Sequence, residues 1–212
     1  MQVRVFRSTV VVASVAIAAG LSAGTAAASG THPDTVGNPG SVTLVAAPAS
    51  IDIISAPRSI GCSSVAIPVS VDRAGAATVA AAATAFRSCA LNGVVVTVTQ
   101  PAAWSGSFRH LDDASGNVAV ATLDLGSTLQ VASLGCSFSL LGSILGDRTV
   151  GPVGHGVTVS VPSLALPASL RPWTLVVSAT SGASCPLLGV TVGLQAQIRG
   201  SFALSPALSI RG

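Results

Sequence analysis

Glutamate, lysine and tyrosine are absent from this 212-residue chain, and charged residues make up 8% of it. The ten basic residues are all arginine and the seven acidic ones all aspartate. From Arg58 to Arg211 the arginines are spread evenly, with none of the clustering that grips a phosphate backbone, so nucleic acid is not an expected partner. Aromatic residues make up 3%, too few for the aromatic girdles of a membrane-spanning barrel. There is no phosphate-binding loop, no dinucleotide fingerprint and no G-x-S-x-G elbow. The four cysteines include no C-x-x-C redox pair and no closely spaced pair of the zinc-binding kind.

The N-terminus is organised for export. Arg4 and Arg7 give a positive start, Thr9 to Leu21 is uncharged and rich in Val, Ala and Ile, and Ala26-Ala27-Ala28 supplies small residues for cleavage between Ala28 and Ser29. Gly20, Ser22 and Gly24 interrupt the apolar run, which is short of the ~20 residues a spanning helix needs. Residues 1–28 are therefore expected to be a Sec signal peptide, with no transmembrane segment in the mature chain. Roughly 184 residues then remain, enough for one domain with a core. Eight arginines against seven aspartates leave that portion nearly neutral. With half of the chain apolar, Ser, Thr, Gly and Asn must supply most of the surface polarity.

Residues 29–41 hold Pro, Gly and little apolar surface, and are expected to form a flexible tail before a domain over 42–212. In that domain short Val/Ile/Thr/Leu runs alternate with Gly, Pro, Ser and Asn breaks. Strands are expected at Val42–Ala46, Ile51–Ser55, Val65–Val71, Val94–Thr99, Val118–Leu125, Thr128–Ala132, Cys136–Leu141, Val157–Val161, Trp173–Ala179 and Val190–Ile198. Ala76–Phe86 has helix propensity from its alanines, but its position between strands favours strand. The pattern predicts an all-β fold, an antiparallel sandwich or barrel.

An internal repeat runs through it. Ser59-Ile60-Gly61-Cys62-Ser63 recurs as Ser133-Leu134-Gly135-Cys136-Ser137, the C-x-L-x-G-V-x-V motif starts at Cys89 and again at Cys185, and Gly-Ser-Phe follows at 106–108 and 200–202. Two pseudo-repeat halves, roughly 42–125 and 126–212, are expected. Four cysteines in an exported chain imply two disulfides, with three pairings open. Equivalent halves that each close on themselves select Cys62–Cys89 and Cys136–Cys185.

No residue set rises to a catalytic, cofactor-binding or metal signature. His32 lies in the tail, and His155 sits in a Gly-His-Gly turn. Arg109-His110-Leu111-Asp112-Asp113 reads as a solvated hairpin tip, since the calcium-loop spacing is missing. Asp124 and Asp147 are isolated carboxylates. Trp104 and Trp173 are expected to pack in the core.

G-C-S, C-x-L-x-G-V-x-V and W-T-L-x-V, behind a Sec signal on an Ala/Val/Gly-rich chain, resemble secreted proteins of actinobacteria. The resemblance covers about residues 51–210 and implies a β-rich exported domain with no assigned activity. The expectation is a non-enzymatic extracellular or envelope protein of structural or interaction type, its partner an envelope component or another secreted protein. A small-molecule or lipid binder with an open apolar interior is the alternative, and a membrane-inserted barrel a less favoured third.

Overall fold

In the computed structural model the described residues are 35–54, 58–112, 119–151, 158–168 and 174–211. The signal peptide, the Ala28–Ser29 cleavage site, His32, Asp113, His155 and Trp173 lie outside them. The described residues form fifteen strands in one all-antiparallel network. In chain order these are β1 (Thr35–Val36), β2 (Gly40–Ala46), β3 (Ala49–Ile53), β4 (Arg58–Cys62), β5 (Ser64–Val71), β6 (Ala76–Val79), β7 (Ala85–Arg87), β8 (Cys89–Leu91), β9 (Val94–Thr99), β10 (Trp104–Asp112), β11 (Ala119–Ser133), β12 (Cys136–Gly151), β13 (Thr158–Leu166), β14 (Leu175–Ser181) and β15 (Gln195–Arg211).

The ladders close into two rings. Ring I runs β2-β5-β6-β10-β11-β12-β13-β15 and returns to β2. Ring II runs β3-β4-β8-β9-β11-β12-β14-β15 and returns to β3. Both follow chain order, and β11, β12 and β15 belong to both. The first part of β11 pairs with β10 and its last part with β9. β12 likewise turns from β14 to β13, and β15 from β3 and β14 to β2 and β13. In the first half of the chain the passage between rings is made at breaks: Ala47-Pro48 between β2 and β3, Ser63 between β4 and β5, and 100–103 between β9 and β10.

Period-two alternation sends apolar side chains into the rings. β5 buries Val65, Ile67, Val69 and Val71, and β3 buries Ile51 and Ile53. The opposite faces carry short polar groups, such as Ser41, Ser70, Thr78 and Ser105, all exposed. A barrel that crosses a membrane alternates the other way, apolar outward and polar inward. Prolines sit where the ladder tolerates them: Pro162 and Pro206 both fall at the register shift between β13 and β15.

Several elements differ from those the sequence pattern predicts. In place of two strands at 118–125 and 128–132, β11 is continuous, because β12 pairs along its whole length through Gly126 and Ser127. Ser127 stays buried and its hydroxyl donates to the Gly142 carbonyl. Domain halves meeting at 125/126 would thus be divided inside a strand, and each ring draws on both. Ala76–Phe86 is not one strand: β6 stops at Val79 and β7 begins at Ala85, with Ala82 at positive φ between them. Gln100 holds that turn, accepting from the Thr84 amide and donating to the Ala80 and Ala102 carbonyls. Within the expected tail, residues 29–34 lie outside the described residues, whereas Thr35 and Val36 pair with Arg211 and Ile210, and Asn38 bonds the Ser209 amide and the Ala207 carbonyl.

The repeated motifs differ in local form. Ser59–Cys62 lies within β4, whereas Ser133–Cys136 spans the β11–β12 turn. The first C-x-L-x-G-V-x-V makes the β8–β9 hairpin, whereas the second lies among turns, and β15 starts at Gln195 rather than Val190. The Gly-Ser-Phe segments do share a state: both are strand, with Phe108 and Phe202 buried.

Trp104 is 2% exposed and donates its indole N–H to the Thr128 carbonyl at 3.2 Å, tying β10 to β11 where the rings meet. Gly142 marks the same level on β12. Its φ is +149°, and a Cβ there would stand 1.9 Å from the Thr174 carbonyl oxygen. Gly142→Ala is expected to destabilise the protein by about 3 kcal/mol or more, and Trp104→Ala by about 3–5 kcal/mol, both measured by denaturant unfolding.

Candidate interaction surface

Ring II brings four chain connections to one end. Register carries the level around the ring: Ile53 faces Arg58 across the β3–β4 connection, Leu91 faces Val94 across the Asn92-Gly93 turn, and Ser133 faces Cys136 across Leu134-Gly135. β4 and β8 align Ile60 with Leu91, and β9 and β11 align Thr97 with Ala132. The fourth connection, residues 182–194 between β14 and β15, leaves from Ser181 opposite Ser137.

Local chemistry shapes each turn. Asn92 and Gly93 both take positive φ, as a two-residue hairpin requires. Residues 182–194 fold on themselves through bonds from the amides of Leu188, Gly189 and Val190 to the carbonyls of Ser184, Pro186 and Cys185.

Both disulfides lie in ring II. Cys62 and Cys89 are directly opposed on β4 and β8, with Cα atoms 4.0 Å apart. Cys136, at the start of β12, bonds to Cys185 in the 182–194 connection, with Cα atoms 4.8 Å apart. The second bond ties the β11–β12 turn to the connection beside it. All four cysteines are buried; Cys136–Cys185 lies at this end, whereas Cys62 is at the far end of β4 from Arg58, next to the passage into ring I.

Exposed aliphatic side chains sit on or beside each connection: Ile54, Val94 and Val95 at the start of β9, Leu134, and Leu187 and Val192. Leu134 is 89% exposed, Leu187 81% and Val95 78%. Of nine large apolar residues exposed in the described chain, these six share one end; Val45, Leu141 and Val176 are scattered on outer strand faces. Singly, exposed aliphatics mean little, but a contiguous set marks a contact surface. Charge avoids the same end. The sequence has no charged residue between Arg87 and Arg109, between Asp124 and Asp147, or between Arg171 and Arg199. Arg58, at the start of β4, flanks the apolar end.

The far end, on ring I, is different. Asp72 and Arg73 form the β5–β6 turn, where Asp72 Oδ1 accepts from the Ala76 amide. Asp112 ends β10 and Arg211 ends β15. Along the outer face of ring I, Arg109 and Asp147 both face Thr122 on β11, and Asp124 lies two residues along. The register thus gathers Arg109, Asp124 and Asp147, which are far apart in the sequence. His110 sits in β10 beside Ala121 rather than at a hairpin tip.

A polar cluster seals the ring II seam. Asp52 on β3 accepts from Ser50 and Ser59 at 3.0 and 2.7 Å, from Arg199 Nε on β15 at 3.1 Å and from buried Gln197 at 3.5 Å. Arg199 is largely exposed, so the ion pair adds at most about 1 kcal/mol. A hollow of about 470 Å³ opens on ring I, lined by Ser41, Ser70, Thr78 and Ser105 together with Val69, Val79 and Trp104. Among the described residues no group of three or more His, Cys, Asp or Glu could hold a metal ion.

No protein-family model matches the chain, and no curated protein or solved structure matches it either.

Replacing Cys62 and Cys89 together by serine is expected to cost about 3.5 kcal/mol, and replacing Cys136 and Cys185 about 4 kcal/mol, from the 27- and 49-residue separations they close. Equilibrium unfolding of each double variant measures this. The Cys136/Cys185 variant should also expose the 182–194 connection to protease in the folded state.

Proposed function

We propose that this is an exported, non-enzymatic protein of the cell envelope or extracellular space, and that it works by contact through the apolar end of ring II. Two disulfides suit an extracellular or other oxidising compartment. The Arg4/Arg7 start, the apolar run and Ala26-Ala27-Ala28 support export with cleavage after Ala28. The Ala/Val/Gly/Arg-rich composition supports an actinobacterial secreted protein. The observation that carries the contact reading is the segregation itself: exposed aliphatic side chains gather on or beside the connections at one end, while the described residues of the opposite end include Asp72, Arg73, Asp112 and Arg211.

An interior ligand site is less favoured. The inward positions of both rings are filled by buried side chains, among them Leu44, Ile67, Leu125 and Phe202 in ring I and Ile51, Ile60, Leu129 and Leu140 in ring II. Asp124 and Asp147, the carboxylates considered for chemistry, lie along the outer face of ring I, while Asp52 is held at the seam and Asp72 caps a turn.

Fractionation of producing cells tests the reading. The wild-type protein should begin at Ser29 and be recovered with the envelope fraction. The Leu134→Ser/Leu187→Ser variant should shift to the medium with an unchanged melting temperature. A cytosolic protein retaining residues 1–28 would overturn export, and unchanged retention of the variant would overturn the role of the apolar end.

A further inference from the structure

We infer that the apolar end of ring II docks on a lipid surface, its aliphatic tips entering the outer edge of the acyl-chain region. This rests on the reading of that end as a contact surface and names what it contacts. Three observations favour lipid over a protein partner.

The first is composition. Protein hot spots are built on Trp, Tyr and Arg, and under-use Leu and Val. The large apolar residues exposed in the described chain are all Val, Ile or Leu. Aliphatic side chains need no directional partner, so an acyl phase satisfies them as they stand.

The second is geometry. The six side chains sit on three connections and at the start of β9, around the rim of a ring whose interior is already filled. They form points on one end and not a groove. A rigid partner would have to match each point, whereas a fluid phase closes around them. Cys136–Cys185 fixes two of these connections to each other, so little ordering is left to do on contact.

The third is charge. Entering a low-dielectric phase is costly for any ionised group carried along. Three of the four connections lie in stretches with no charged residue. Asp52 and Arg58 flank the fourth: Asp52 is tied to Ser59 and Arg199 at the seam, and the Arg58 stem can follow apolar surface while its head remains among headgroups. The turns keep exposed backbone polar groups that hydrocarbon cannot satisfy, so the expected depth is shallow.

The test uses the exported protein with its disulfides intact, in flotation with phosphatidylcholine vesicles and with vesicles that also contain phosphatidylglycerol, at low and high salt. The wild type should float with both and resist salt. Leu134→Ser/Leu187→Ser should lower partitioning at least about tenfold, since each exposed leucine removed forfeits most of a buried side chain's transfer energy. Leu134→Trp should give emission that shifts to the blue on binding and is quenched by brominated acyl chains. Flotation confined to anionic vesicles and abolished by salt would overturn the inference in favour of adsorption through arginine. So would a wild-type protein that stays at the bottom of every gradient. If that protein is still released from the envelope fraction by the serine pair, the contact surface stands and its partner is not lipid. A dimer in sedimentation equilibrium that the same pair dissociates would overturn the inference in favour of a second copy of the chain.

Discussion

The fold depends on closure of its backbone hydrogen-bond ladders. A strand at an open edge presents unpaired amides and carbonyls, and a short ribbon of such strands is barely stable in water. Here β15 pairs back to β2 in ring I and to β3 in ring II, so both ladders return on themselves. The described residues manage this without helices because three strands are long enough to serve both rings. β11, β12 and β15 are 15, 16 and 17 residues long. The first half of the chain covers the same span with pairs of shorter strands separated by Pro48, Ser63 and 100–103. Small residues mark the level where the long strands change partners: Gly126, Ser127 and Gly142 leave room for backbone to approach backbone.

The sharing of strands couples the rings mechanically. Ring I has no disulfide of its own, yet its core rests on β11, β12 and β15, and Cys136–Cys185 is anchored on one of them, β12. Opening either ring pulls apart ladders that the other needs. The pairing is also strongly non-local, from Thr35 with Arg211 to Asp52 with Gln197, and such topologies reach the native state slowly because loop closure precedes any gain from contact. Oxidation of Cys136 and Cys185 shortens one of those closures.

Strand chemistry is largely legible in the sequence where alternation is clean. Val94–Thr99 forms a strand with the bounds its pattern implies, and Val42–Ala46 and Val65–Val71 lie within strands a residue or two longer. The long strands are not legible, because Gly126-Ser127 and Gly142 look like turn signals when the partners across the ladder are unknown. The 182–194 connection misleads in the other direction: Val190 and Val192 are β-branched, but Cys185 and the glycines at 189 and 193 hold that stretch in turns. Of the apolar end, the sequence holds half the signal. The charge-free stretches are visible in the letters alone. That Leu134, Leu187 and Val95 share an end follows only from register, since residues so far apart in the chain look like ordinary core positions. Trp104 reads correctly as core, its buried indole needing the partner it finds in Thr128.

The pairing of Thr35 and Val36 with Arg211 and Ile210 has one more consequence. The first and last strands of the described chain finish side by side at the charged end, a full ring away from the aliphatic tips. Thr35 and Arg211, where the described chain begins and ends, face away from the contact surface. The protein thus has a handle and a face: a fluorescent domain, an affinity tag or a surface-immobilising linker added after β15 would leave Ile54, Leu134 and Leu187 pointing outward and unobstructed.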